Sequence, residues 1–126
     1  MIHFLLDTNV VIWLSEDQPR INQIKDLIFS VDAQIFISAV SWWEMAIKVR
    51  TGKLQVDVAK LRALAEEHDF QELPLHGRAT EALINLPKLH KDPFDHILLA
   101  QAITEPMRFI TGDGLLADYS SLVMVI

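Results

Sequence analysis

Four acidic residues stand where an apolar run gives way to a turn or to the start of a helix: Asp7 in HFLLDTN, Glu44 in FISAVSWWEMA, Asp95 in HKDPFDHILLAQA and Asp113 in RFITGDG. If the apolar runs are parallel strands, their carboxyl ends share one edge of a sheet, which is where ligands bind in such folds. Carboxylates gathered there repel each other unless a cation neutralises them. An all-oxygen donor set selects a hard divalent ion, Mg²⁺ or Mn²⁺.

Each acid also has a plainer reading. Asp7 fits an Asx-turn or a helix cap, although an acid after so apolar a run needs a partner. Glu44 lies three residues after Ser41, the spacing of a capping box, and four before Lys48, the spacing of a helical ion pair. Asp92 precedes Pro93 and suits a helix cap, which leaves Asp95 inside the first turn, where the helix dipole stabilises a carboxylate. Asp113 between two glycines suits a tight turn, while the glycines also permit close approach of a ligand. Thr111 is a hydrogen-bond partner for an acid or for a metal-bound water.

The elements that must position these residues follow from the apolar pattern. Residues 2–6 read as a buried strand, followed by a short helix over VVIWL that Thr8 or Asn9 caps. Pro19 breaks the chain, and Ile21, Ile24, Leu27, Ile28 and Val31 recur at helical spacing. Residues 34–38 form a second strand. A helix capped by Ser41 then carries Glu44 and ends at Gly52. Residues 57–68 and 77–86 are helical, and residues 70–75 make an edge strand because Pro74 cannot donate to a ladder. A helix begins at Pro93, and residues 108–111 and 122–126 are the last strands. Strands alternating with helices predict an α/β fold, a parallel sheet covered on both faces.

Composition narrows the options. The 126 residues suggest a single domain over 1–126, and 51% hydrophobic content supplies a core. No apolar run approaches the roughly 18–20 residues that cross a bilayer. MIHFLLD has no basic leader and reads as a strand. With no cysteine, disulfides and thiolate metal sites are excluded, which fits a cytoplasmic address. A net charge of −6 argues against a protein that coats phosphates, but not against a nuclease whose bound metal reverses the local sign.

The remaining polar residues are weaker candidates. Lys48, Arg50 and Lys53 form a basic cluster that reads either as a solvated helix end or as a phosphate contact. His90 and His96 flank the Asp92–Asp95 segment, within reach of a phosphate. Of the adjacent Trp42 and Trp43, one is expected in the core and the other at an edge or interface. Val11, Trp13 and Leu14 are candidates for an exposed dimer face.

Taken in order, LLDTNVVIWL, ISAVSWWEMAIKVRTGKL, HKDPFDHILLAQA and ITGDGLLADY resemble the acidic motifs of the PIN-domain ribonucleases, in particular the VapC-type toxins of bacterial toxin–antitoxin pairs. The resemblance covers essentially the whole chain. It implies a three-layer α/β/α sandwich, metal-binding and catalytic roles for Asp7, Glu44, Asp95 and Asp113, and supporting roles for Asn9 and Thr111. It also implies a homodimer and a cognate VapB-type antitoxin that covers the acidic site. Where the family often has arginine after the third acid, this chain has His96.

The expected reaction is Mg²⁺- or Mn²⁺-dependent hydrolysis of an RNA phosphodiester. Three alternatives compete. A phosphatase using Asp7 as nucleophile needs a second aspartate where Asn9 stands. A catalytically silent module would keep the fold and bind an antitoxin or RNA. A structural domain would use all four acids as caps. No cysteine, and no serine in a G-x-S-x-G elbow, offers a covalent nucleophile.

Overall fold

A computed structural model describes residues 1–88 and 92–126. Five parallel strands form one sheet in the order β3-β2-β1-β4-β5. They are β1 (Ile2–Leu6), β2 (Ala33–Ser38), β3 (Gln71–Leu73), β4 (Arg108–Thr111) and β5 (Val123–Val125). The strand order runs outward from β1 in one direction and resumes at β4 in the other. The crevice of such a sheet opens where the order reverses, beyond the ends of β1 and β4. In register, Leu6 sits beside Ile110, so Asp7 and Thr111 leave the sheet side by side.

Period-2 alternation divides the core between the two faces of the sheet. Phe4 and Leu6 of β1, Ile35 and Ile37 of β2 and Ile110 of β4 pack on one side. There they meet α1 (Thr8–Trp13), α2 (Lys25–Ile28) and α4 (Val58–Glu67) through Val10, Val11, Ile28, Leu61 and Ala65. Leu5 and Phe109 pack on the other side against α5 (Gly77–Leu83), α6 (Pro93–Thr104) and the 3₁₀ turn Gly114–Tyr119. The result is a three-layer α/β/α sandwich. The helix α3 (Ala39–Arg50) joins both halves, since its Val40 lies in one cluster and its Met45 in the other.

Several boundaries differ from expectation for local reasons. The apolar run 21–31 is not one helix: it is a 3₁₀ turn, Pro19–Gln23, followed by the single turn of α2, and Val31 is exposed. Ser41 does not cap α3. The helix begins earlier, at Ala39, and Ser38 accepts from the Val40 amide at 3.0 Å. That releases Glu44 from any capping box. Nor do Thr8 and Asn9 cap α1: Asp7 does, accepting from the Thr8 amide. Val11 is buried and Trp13 and Leu14 are half-buried, so they do not form an exposed face; all three pack in the core on the α1 side.

The ends of α3 and α6 matter most for the site. Gly52, at φ +76°, closes α3 with the Lys53 amide on the Lys48 carbonyl (2.8 Å) and its own amide on the Val49 carbonyl (3.1 Å). This is a Schellman turn, and it folds Lys53 and Leu54 back beside Lys48. Helix α6 starts at Pro93 with Asp92 as its cap, as the sequence suggests, and Asp92 accepts from the Phe94 amide at 3.0 Å. Phe94 meets Trp43 edge-on at 5.2 Å, which ties the starts of α3 and α6 together. Trp42 packs on the core and Trp43 is the more exposed of the pair.

Helix α6 is buried from Ile97 through Ala102, where it packs against both the sheet and α5. Leu98 is fully buried at its centre. Leu98→Ala is expected to lower stability by about 2–5 kcal/mol, read as a drop in the urea midpoint at unchanged slope. A shift close to zero would mean that α6 packs less tightly than described.

Candidate active site

Beyond the ends of β1 and β4 lies a cleft of about 280 Å³. Asp7, Glu44, Asp92, Asp95 and Asp113 line it, together with Thr8, Asn9, Ile12, Lys48, Lys53 and Leu54. Five carboxylates therefore face two ammonium groups. A smaller cavity between α1 and α4 is lined mostly by apolar side chains, Val11, Leu14 and Leu61 among them, and has no acid.

Asp7 is the most deeply set acid, only 3% exposed. The extended backbone that ends β1 aims its Oδ1 at the Thr8 amide (2.7 Å), and Thr111 at the end of β4 donates its hydroxyl to Oδ2 (2.7 Å). Thr111 Oγ1 in turn accepts from the Asp113 amide at 3.0 Å. Among the described residues no cation pairs with Asp7. Burial pushes its pKa up to about 6, against the two hydrogen bonds that lower it, and Glu44 and Asp113 push the same way as burial.

Glu44 is held differently. Ser41, Glu44 and Lys48 fall on one stripe of α3. Thr8 Oγ1 lies 2.7 Å from Glu44 Oε1 and 2.9 Å from Ser41 Oγ. A hydroxyl has one proton, so Thr8 gives it to the carboxylate and accepts from Ser41. Lys48 Nζ sits 2.6 Å from Oε2. The Glu44 hydrogen bond raises the Lys48 pKa, with Asp92 and Asp95 contributing. Both Glu44 oxygens are thus engaged by the protein.

Asp95 stands in the first turn of α6. Its pKa is raised to about 8, first by burial and then by repulsion from Asp7, Asp92, Glu44 and Asp113. That every other acid of the cleft bears on it marks Asp95 as the point where their fields converge. Asp113 caps the 3₁₀ turn that follows β4, accepting from the Leu115 amide at 3.0 Å. Asn9 Oδ1 accepts from the Gly112 amide at 3.4 Å.

Two sequence candidates do not reach the cleft. His96 neighbours Asp95, but on a helix adjacent residues diverge by about 100°, and its Nε2 lies 3.0 Å from the Tyr119 hydroxyl on the α6 side of the sheet. Arg50 lies exposed in the last turn of α3, outside the cleft lining. His90 falls outside the described residues. Thr8 and Ser41, candidate caps by sequence, serve Glu44 instead: Thr8 bonds to it and Ser41 bonds to Thr8. Their signal was the spacing of Ser41 and Glu44 on one helix face and a second polar residue directly after Asp7.

The donors are all oxygen, and a buried carboxylate without a counter-cation is suited to a hard metal ion. Among the described residues no three carboxylates or imidazoles converge closely enough to enclose one as they stand.

The PIN-domain profile matches residues 4–122. The chain belongs to the PIN-domain family. Among curated relatives of this PIN-domain protein, Ribonuclease VapC22 of Mycobacterium tuberculosis is 25% identical over 122 residues, spanning 94% of this chain and 93% of that protein. Two solved structures share the fold. The VapBC2 complex of Rickettsia felis bound to a promoter DNA fragment superposes with TM-score 0.73 at 14% identity, covering 99% of this chain and 98% of its own. A toxin–antitoxin complex from Klebsiella pneumoniae superposes with TM-score 0.69 at 22% identity, covering 96% and 95%.

The raised pKa of Asp95 has a consequence for stability. Its folded-state value, about 8, lies above the ordinary 3.8, so folding takes up a proton between those values. The group costs nothing below that window and destabilises the fold increasingly as pH rises through it. In EDTA, Asp95→Asn is expected to melt a few degrees above the wild type at pH 8 and to converge with it near pH 4. Equal melting temperatures at pH 8 would refute the raised pKa of Asp95.

Proposed function

We propose that this PIN-domain protein is a metal-dependent endoribonuclease and the toxin of a VapBC-type toxin–antitoxin pair. The observation that carries the reading is the buried Asp7 carboxylate, without a counter-cation among the described residues, at the head of a cleft with four further acids. Similarity to a protein named as a ribonuclease supports RNA as the substrate. Neighbours solved as VapBC and toxin–antitoxin complexes support a VapB-type antitoxin as partner. The reading carries a homodimer and a cytoplasmic place of action with it.

Asp7, Asp95, Asp113 and Glu44 would hold Mg²⁺ or Mn²⁺. All four supply oxygen donors, the chemistry that suits such an ion. When bound, such an ion would supply an activated water and charge neutralisation at the scissile phosphate. The protein's own groups prepare the site. Thr111 and the Thr8 amide fix the orientation of Asp7. Thr8 and Lys48 hold Glu44. Among the described residues, Lys53 and the Glu44-paired Lys48 are the cations on the cleft wall and would meet a phosphate there. Asn9 steadies the Gly112 peptide beside Asp113.

Purified protein free of antitoxin is expected to cut cellular RNA at discrete positions in Mg²⁺ or Mn²⁺, and not in EDTA. Asp7→Asn and Asp95→Asn are each expected to lower the rate by at least about 10²-fold with the fold retained. Asp92→Asn should cost much less, since asparagine caps a helix about as well as aspartate. Cleavage that survives EDTA and both substitutions would sink the assignment. So would an Asp92→Asn defect as deep as that of Asp95→Asn, for the division of roles between those two.

A further inference from the structure

Arg20 lies outside the acidic cleft, in the 3₁₀ turn Pro19–Gln23, yet it grips the loop that carries Asp113. Its Nε donates to the Ile126 carbonyl at 3.0 Å, and its Nη2 donates to the carbonyls of both Ile126 and Gly112. Its guanidinium also lies over the Trp13 ring, 4.6 Å from the centroid. A planar fork can bridge two carbonyls and stack on an indole at once, which an ammonium group cannot do.

Gly112 sits between Thr111, which bonds to Asp7, and Asp113 itself. Its peptide is held from three directions. Asn9 accepts from its amide and Arg20 takes its carbonyl. The Trp13 ring presses on its α-carbon so closely that a Cβ built there would come within 2.2 Å of the ring. All three gripping residues belong to the segment that follows β1, and together they clamp the loop. Asp113 is held locally by the Leu115 amide on its carboxylate and by Thr111 on its own amide. These bonds move with the loop, however, and with a glycine on either side the clamp on Gly112 is what ties that loop to the rest of the fold. A side chain at Gly112 would force the Trp13 ring to shift.

We infer that Arg20 is a positioning residue for Asp113: it pins the Gly112 carbonyl between Trp13 and Ile126 and so fixes the acid at the cleft. Its effect on rate rests on the nuclease reading above, whereas its effect on the loop does not. The plainer alternative is a staple that only joins the ends of β4 and β5. Such a staple would loosen the sheet as a whole when removed.

The test uses Arg20→Lys, which keeps the charge and most of the stem, beside Arg20→Ala. Amide hydrogen exchange is expected to speed up by on the order of 10-fold or more at Gly112, Asp113 and Leu115. Exchange at Leu6 and Ile110 in the sheet should stay as in the wild type. In RNA cleavage, Arg20→Lys is expected to lower kcat by roughly 10–100-fold with little change in KM, the signature of a misplaced group. Combined with Asp113→Asn it should cost nothing further, because both act through one carboxylate. Unchanged exchange in the loop would overturn the inference, as would acceleration spread equally through the sheet or rate losses that multiply in the double variant. If the wild type cuts no RNA, the nuclease reading fails by itself and the exchange measurement still decides the role of Arg20.

Discussion

A carboxylate buried at the end of the central strand is the constraint around which this molecule is arranged. Removing a charge from water is costly, and among the described residues the protein answers with hydrogen bonds rather than with a cation. Asp7 receives one from the backbone of α1 and one from Thr111 on the neighbouring strand. Those bonds only partly offset the burial, which is why its pKa remains elevated at about 6. The strand order makes the arrangement possible. Only where β1 and β4 run side by side and their connections diverge can two strand ends meet over an open crevice.

The other acids have further supports of their own, linked to Asp7 through Thr8, which also holds Glu44, and Thr111, which also holds the Asp113 amide. Glu44 is clasped between a hydroxyl from α1 and an ammonium from its own helix. Asp95 depends on Asp92, which caps α6 and sets where its first turn begins. Trp43 and Phe94, each next to an acid in sequence, pack against one another and hold the two helix starts at a fixed separation. Asp113 hangs on a glycine peptide gripped from the first segment of the chain. The acids are thereby kept close enough to raise each other's pKa values, yet apart enough that no three enclose an ion.

Lys48 has an ambiguous place in this balance. It neutralises Glu44 in the folded chain and at the same time stands on the wall where a phosphate would lie. Lys53 reaches the same wall only because Gly52 takes a left-handed turn and doubles the chain back. The terminal arginine of that helix, Arg50, is no less basic but projects away. A net charge of −6 thus hides a local arrangement in which the few cations of the site are chosen by helix phase and by one turn.

Much of this was legible in the chain itself. Alternation of short apolar runs with helical spacing indicated a layered parallel fold, since burial periodicity is a local property of sequence. Pro93 after Asp92 marked the start of α6, and Gly52 marked the end of α3, because both act through the backbone of their own segment. What sequence could not supply was anything that depends on a partner distant along the chain. Whether Ser41 caps a helix or supports Glu44 turns on where α3 begins and on Thr8, 33 residues away. Whether Trp13 is exposed turns on Arg20 and Gly112 folding over it. Whether His96 faces the acids or Tyr119 turns on the rotation of α6 against the sheet. Residue types and their local spacing determined which elements form and which chemistry is available. Tertiary packing alone decided which of those groups meet, because hydrogen bonds and fields act across a few ångströms of space, however long the chain between them.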